Sequence, residues 1–183
     1  FFKQKTAYEI STRDWSSDVC SSDLAGEKIA KKYDTFEVNG FKLGVRPEVK
    51  PSILVAALRE GMLRLAGREA DGAIINWLSP GDVSRVCDVV RDAAGGEERE
   101  IVARIFVCPS ENADVVRAAA RFAIAAYLNV PVYAAFHEWL GRGAVLRGMW
   151  DAWKSGDRKA ALAAIPDEVV DDLVVHGSPA QCR

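Results

Sequence analysis

The sequence predicts an α/β fold organised around a parallel strand–helix–strand unit, and three observations carry that expectation. Residues 52–57 and 73–77 are short, nearly continuous apolar runs, the pattern of strands covered on both faces. Between them Met62, Leu63, Leu65, Ala66 and Ala70 recur at helical spacing, with Arg64, Arg68 and Glu69 on the wet side. A third apolar run, 101–108, follows a second amphipathic stretch at 83–94. Strands joined through a crossover helix lie parallel, and strand twist makes that crossover right-handed.

Composition bounds the rest. A chain of 183 residues with 49% hydrophobic and 27% charged residues has globular composition and the length of one domain. A net charge of −2 and the lack of any basic block argue against a nucleic-acid partner. The most apolar helical stretch, 118–128, is interrupted by Arg121, which argues against a membrane span. Cys20, Cys87, Cys108 and Cys182 form no CxxC, so neither a zinc site nor a disulfide framework is expected, and a reducing cytoplasm is the expected compartment.

Residues 1–24 show no periodicity and repeat Ser-Ser-Asp at 16–18 and 21–23. The string resembles a translated sequencing adapter, so a non-native tail without function is expected there, with the domain at 25–183. Residues 25–33 read as the tail of a helix, with Lys28, Lys31 and Lys32 flanking Ile29, Ala30 and Tyr33. Phe36-Glu37-Val38 and Phe41-Lys42-Leu43 bracket Asn39-Gly40, the signal for a hairpin closed by a type I′ turn. Pro47 and Pro51 punctuate the entry into the central unit.

After that unit, Gly95-Gly96 closes the helix at 83–94, and the strand at 101–108 stops before Pro109. A long helix starts at Asn112, with Val115, Val116, Ala119, Ala123, Ile124 and Tyr127 as its expected buried face. Pro131 opens the next helix, lined by Tyr133, Phe136 and Leu140 and ended by Gly141-Arg142-Gly143. Val145, Leu146, Met149, Trp150 and Trp153 mark another helix, stopped by Ser155-Gly156 before an Asp157 cap. Residues 166–175 read as a short helix, and Gly177-Ser178-Pro179 as the start of one more.

The chemistry-bearing candidate is the turn Leu58-Arg59-Glu60-Gly61, where a strand's carboxyl end meets a helix amino end. Unpaired first-turn amides and the positive dipole end favour an anion there, and Gly61 permits close approach; by spacing alone the turn reads equally as a plain connection, and it is no P-loop. Asn76, at the carboxyl end of a buried strand, fits a cofactor or substrate contact or a capping role. Cys108 reads as a small core residue, His137 as a partly exposed or hydrogen-bonded structural histidine, His176 as a loop residue, and Trp150 with Trp153 as core. No catalytic acid, base or metal ligand is identified.

Residues 56–77, Ala-Ala-Leu-Arg-Glu-Gly-Met-Leu-Arg-Leu-Ala-Gly-Arg-Glu-Ala-Asp-Gly-Ala-Ile-Ile-Asn-Trp, resemble a signature segment of the luciferase-like monooxygenase superfamily, nearest its deazaflavin-dependent oxidoreductase branch. The resemblance implies a TIM (β/α)8 barrel. A whole barrel needs roughly 250 residues, so the expectation is a partial barrel holding about the fifth to seventh strands with their helices, truncated at both ends. In relatives His176-Gly177-Ser178-Pro179 introduces the last helix, ahead of an eighth strand. The implied activity of the intact parent is hydride transfer between deazaflavin coenzyme F-420 and a small-molecule substrate, an alcohol or a pterin-type carrier, with the fragment alone inactive. Ala57, Leu58, Arg59, Glu60, Gly61, Met62 and Asn76 would line the cofactor side. Catalytic residues would come mostly from strands outside this sequence. The sequence departs from relatives at Arg59-Glu60-Gly61, where they often carry Gly-Pro-Lys or a Gly-Ser-Gly type turn. An FMN-dependent monooxygenase of the same superfamily and an inactive structural half-barrel are the alternatives, and a homo-oligomer is open to the intact parent.

Overall fold

The computed structural model describes residues 22–32 and 36–183. The tail expected at 1–24 therefore lies outside the described residues up to residue 21, while residues 22–24 are helical. The chain divides into two compact units, the first drawn from residues up to Ile74 and from Val86–Val102, the second from Ile75–Arg85 and Ala103–Arg183.

In the first unit, β1 (Ile29–Lys32) pairs antiparallel with β2 (Glu37–Phe41). This corrects two expectations. The lysines at 28, 31 and 32 sit on and beside a strand rather than on a helix tail, and Asn39-Gly40 lies inside β2 instead of forming a turn; Tyr33 is outside the described residues. Ile29 pairs with Phe41 and Ala30 with Asn39, so Gly40 is the extra residue of a β-bulge. Its φ of +75° is the left-handed conformation the sequence signalled, spent on a bulge.

The parallel unit is present in order and pairing: β3 (Leu54–Ala56), α1 (Glu60–Glu69) and β4 (Gly72–Asn76), with Leu54 opposite Gly72 and Ala56 opposite Ile74. The expectation of strands covered on both faces is corrected, since Leu54 and Val55 are half-buried and Ala56 and Ile74 exposed. α1 buries Leu63, Leu65, Ala66 and Gly67, while Arg64, Arg68 and Glu69 are exposed. β5 (Glu100–Arg104) borders β4 on its other side. Two glycines set the spacing. A Cβ on Gly67 would strike the Val90 carbonyl oxygen and lie 2.9 Å from Ala93 Cβ, on α2 (Pro80–Ala93); one on Gly72 would strike the Glu100 carbonyl. Arg99 then donates from Nε to the Gly67 carbonyl at 2.8 Å, placing a cation at the carboxyl end of α1.

The second unit holds β6 (Phe106–Cys108) parallel to β7 (Val174–His176), and α3 (Ala113–Leu128), α4 (Pro131–Trp139), α5 (Gly143–Lys154), α6 (Arg158–Ala163) and α7 (Asp167–Leu173). The strand expected at 101–108 is thus broken at Ile105, which is 67% exposed. On one side of it the chain pairs with β4, on the other with β7. The expected helix at 166–175 gives way to strand at Val174, so His176 is a strand residue opposite Cys108 and not a loop residue.

The caps follow sequence chemistry. Asn112 Oδ1 accepts from the amides of Asp114 and Val115, and Asp157 accepts from Ala160 at 2.9 Å. Ser178 and Gln181 make the reciprocal bonds of a capping box, and Cys182 donates to the Ser178 carbonyl, so the expected helix start is present as one turn. The core of this unit joins Trp77, Ile124, Leu128, Leu146, Met149, Ile165, Val170 and Leu173. α3 buries Val116, Ala120, Ile124, Ala125 and Leu128; the expected face was one residue out of phase, leaving Val115, Ala119 and Tyr127 exposed. Arg121 decides the phase, because its guanidinium must reach the Ile165 carbonyl and Asp167. Among the described residues no single helix is long and apolar enough to cross a membrane; α3 and α4 meet the length and composition only as a pair bent by 102°.

Candidate functional site

The strand-to-helix turn of the first unit starts from a buried Ala57, whose amide donates to the Ile74 carbonyl at 3.0 Å. Arg59 is the N-cap of α1 in extended conformation (φ −111°, ψ 167°), and its side chain makes no capping bond. The first intrahelical bond runs from the Leu63 amide to the Arg59 carbonyl at 3.0 Å. The amides of Glu60, Gly61 and Met62 precede it and have no carbonyl of their own helix to meet. Leu58 and Met62 are half-buried, whereas Arg59, Glu60 and Gly61 are exposed. Six contiguous candidates thus form one turn with an accessible amide face and a guanidinium beside it. Glu60 complements the helix dipole and competes with an incoming anion for the same end.

Asn76 belongs to the second unit, at the end of β4. Its Nδ2 donates to Tyr133 Oη at 3.3 Å, while Oδ1 is buried and accepts no hydrogen bond among the described residues. Trp77 follows with φ +55°, the one non-glycine residue with positive φ among the described residues. Its ring is buried, stacked on Phe106 with centroids 3.9 Å apart and 5.2 Å from Tyr127. The indole N–H also has no partner among the described residues. Sequence reasoning passed over Trp77 because nothing in the residue type announces a left-handed backbone.

A second polar group was also missed. Ser79 precedes Pro80, the first residue of α2, and Asp82 reaches back to accept from the Ser79 amide (2.7 Å) and hydroxyl (2.8 Å). Arg142 Nη1 pairs with Asp82 at 2.8 Å, and Nη2 donates to Ser79 Oγ at 2.9 Å. His137, expected to be partly exposed or hydrogen-bonded, is fully buried, and neither ring nitrogen makes a hydrogen bond among the described residues. Burial pushes its imidazole down from the usual 6.5 to about 4, with the Arg142 cation adding to the shift; Asp82 and the nearby Trp77 carbonyl pull weakly the other way. The Ser-Pro-x-Asp spacing at 79–82 was the available signal for this cluster.

On the outer part of the unit, Arg117 and Arg121 both bind Asp167, and Arg117 reaches Asp171 at 3.5 Å. The bond from Arg117 holds the Asp167 carboxyl below its usual 3.8. His176 Nε2 meets Asp171 Oδ1 at 2.9 Å. Cys108, register partner of His176, is half-buried against the core. Among the described residues no three His, Cys, Asp or Glu side chains converge as metal ligands.

A family model described as luciferase-like monooxygenase matches residues 8–183. The 5,10-methylenetetrahydromethanopterin reductase of Archaeoglobus fulgidus is 29% identical over 161 residues, covering 82% of this chain and 48% of the reductase. In structure, the chain is similar to coenzyme F420 dependent tetrahydromethanopterin reductase from Methanopyrus kandleri, with a TM-score of 0.69 at 16% identity over 90% of this chain and 50% of that one. An F420-dependent secondary alcohol dehydrogenase in complex with an F420-acetone adduct gives 0.60 at 15% identity, over 90% and 47%. The chain spans about half the length of the relatives it matches.

Proposed function

Since the chain belongs to the luciferase-like monooxygenase family, we propose that it forms part of an oxidoreductase that transfers a hydride between coenzyme F-420 and a small organic substrate, an alcohol or a pterin-type carrier. The observation that carries this reading is the 29% identity with a methanopterin reductase across most of the chain. Within the α/β fold the finer architecture we propose is a part of a TIM barrel, about its fifth to seventh strands, spanning 25–183 after an adapter-like segment.

When bound, F-420 supplies or accepts a hydride on its deazaflavin ring. What the chain contributes is binding and orientation. The amides of Glu60, Gly61 and Met62 donate to an anionic group, Arg59 adds a cation, and buried Ala57 with half-buried Leu58 and Met62 supplies apolar contact. In the other unit, the unbonded Asn76 Oδ1 can accept from a heterocyclic N–H, and the bond to Tyr133 fixes its orientation. The acidic Glu60 beside the amide face fits an anion less well than a neutral residue would, and Glu60→Gln should tighten binding.

Fluorescence titration of the chain with F-420, and separately with FMN, tests this. F-420 binding that excess FMN does not displace, and that Gly61→Val weakens about tenfold or more with unchanged melting temperature, supports the reading. FMN binding without F-420 binding favours a monooxygenase of the same family. Binding of neither removes the cofactor role from the turn.

A further inference from the structure

Helix α5 carries Trp150 and Trp153 on one stripe, which the sequence reads as core. Both are only half-buried. Each packs against the core of the second unit and also lines an open cavity of about 420 Å³, together with Asn129, Pro131, Ala134 and Lys154. That volume falls within the roughly 300–1,000 Å³ of small-molecule sites. None of these residues belongs to the turn at 57–62 or touches Asn76.

The wall is dressed against negative charge. The Trp150 indole N–H donates to the Leu128 carbonyl at 2.8 Å, and Asn129 Nδ2 donates to the carbonyls of Ala125 and Ala126, so the carboxyl end of α3 is capped from within. The amino end of α4, the positive end of its dipole, begins at Pro131 on the same wall. Arg158 lies 3.8 Å over the Trp153 ring and donates to the Trp153 carbonyl at 2.6 Å, which fixes that ring's orientation. Lys154 is exposed, and its ammonium has no partner among the described residues. Among those residues no carboxylate lines the cavity.

We propose that this cavity binds a planar aromatic acid, with its ring system against Trp150, Trp153 and Pro131 and its carboxylate on Lys154. The two indoles and the proline ring offer a flat apolar body its best contact. The ammonium and the α4 amino end, met by no negative group on the wall, select a ligand that brings one. A proline-rich peptide would use the rings and leave Lys154 unanswered.

Isothermal titration calorimetry of the full chain with naphthoate tests this, with naphthamide as the neutral isostere and cyclohexanecarboxylate as the acid without a planar ring. The expected result is saturable one-site binding of naphthoate, in the millimolar range or tighter, with both controls weaker by about threefold or more. Lys154→Met should bring naphthoate to the level of naphthamide and leave naphthamide unchanged. Because Lys154 is exposed, the melting temperature should stay constant in that variant. Ala134→Leu fills the cavity and should abolish binding of both ring compounds. No saturable binding, a control as tight as naphthoate, indifference to Lys154→Met, or binding that survives Ala134→Leu overturns the proposal. A proline-rich peptide that binds through Trp153 where naphthoate does not overturns it in favour of a peptide site.

Discussion

Asp71 and Ile53 are joined twice: the Ile53 amide donates to Asp71 Oδ2 at 2.7 Å, and the Asp71 amide donates to the Ile53 carbonyl at 3.0 Å. The carbonyl of Asp71 meanwhile accepts from the Glu100 amide at 3.0 Å. One residue therefore ties together the entries of all three strands in the first unit's sheet. The Asp of the Ala70-Asp71-Gly72 motif has a structural reason to be there, without any ligand.

Asp71→Ala should lower unfolding free energy by about 0.5–1.5 kcal/mol, because a charge-assisted bond is lost at an exposed position where water takes up the Ile53 amide. Asp71→Asn should recover part of that. Urea denaturation checks both, and an unchanged midpoint for Asp71→Ala would refute the staple.

Gly67→Ala should cost about 1–3 kcal/mol, since the new methyl meets the backbone of α2, which cannot yield as a side chain tip would. Helix propensity alone predicts the opposite sign. The direction of the melting-temperature shift decides between them.

Arg142→Met should destabilise by about 3–5 kcal/mol, because Asp82, whose side chain is 11% exposed, would keep its charge with the Ser79 amide and hydroxyl but without a countercharge. Adding Asp82→Asn should return much of the loss. A double-mutant cycle in urea measures that coupling.

His137 sets the pH dependence of the second unit. Its native pKa of about 4 lies below the ordinary 6.5, so between those values the unfolded chain binds a proton that the native state does not. Stability is then full above pH 6.5 and falls as pH drops toward 4, by about 3 kcal/mol in all. Asp167, held low by Arg117, adds a loss only below the ordinary carboxylate range. His137→Leu should flatten the slope between pH 6.5 and 4.5, and urea midpoints across that range would show whether it does.

The sequence was most legible where one signal had one use. The parallel β3–α1–β4 unit, the Asn112 and Asp157 caps and the Pro131 helix start are each governed by local chemistry. The first hairpin was misplaced because a left-handed glycine serves a bulge as well as a turn, and Gly40 serves the bulge. The phase of α3 escaped because its circumference is nearly all apolar, and only the distant Asp167 selects a face. Of the candidate site, the turn at 57–62 lies where the pattern put it. The free Asn76 oxygen, the Trp77 backbone and the buried His137 depend on tertiary packing, which periodicity does not encode.

The left-handed Trp77 also bears on how this chain can change over evolutionary time. The backbone at that position would choose glycine, by about 1–2 kcal/mol, while the ring stacked on Phe106 fills the core. Any single-codon drift toward the residue the backbone favours empties the space the ring holds, and drift toward another bulky side chain keeps the strain. Position 77 is therefore held between two opposed demands, a backbone that favours glycine and a core that favours the ring.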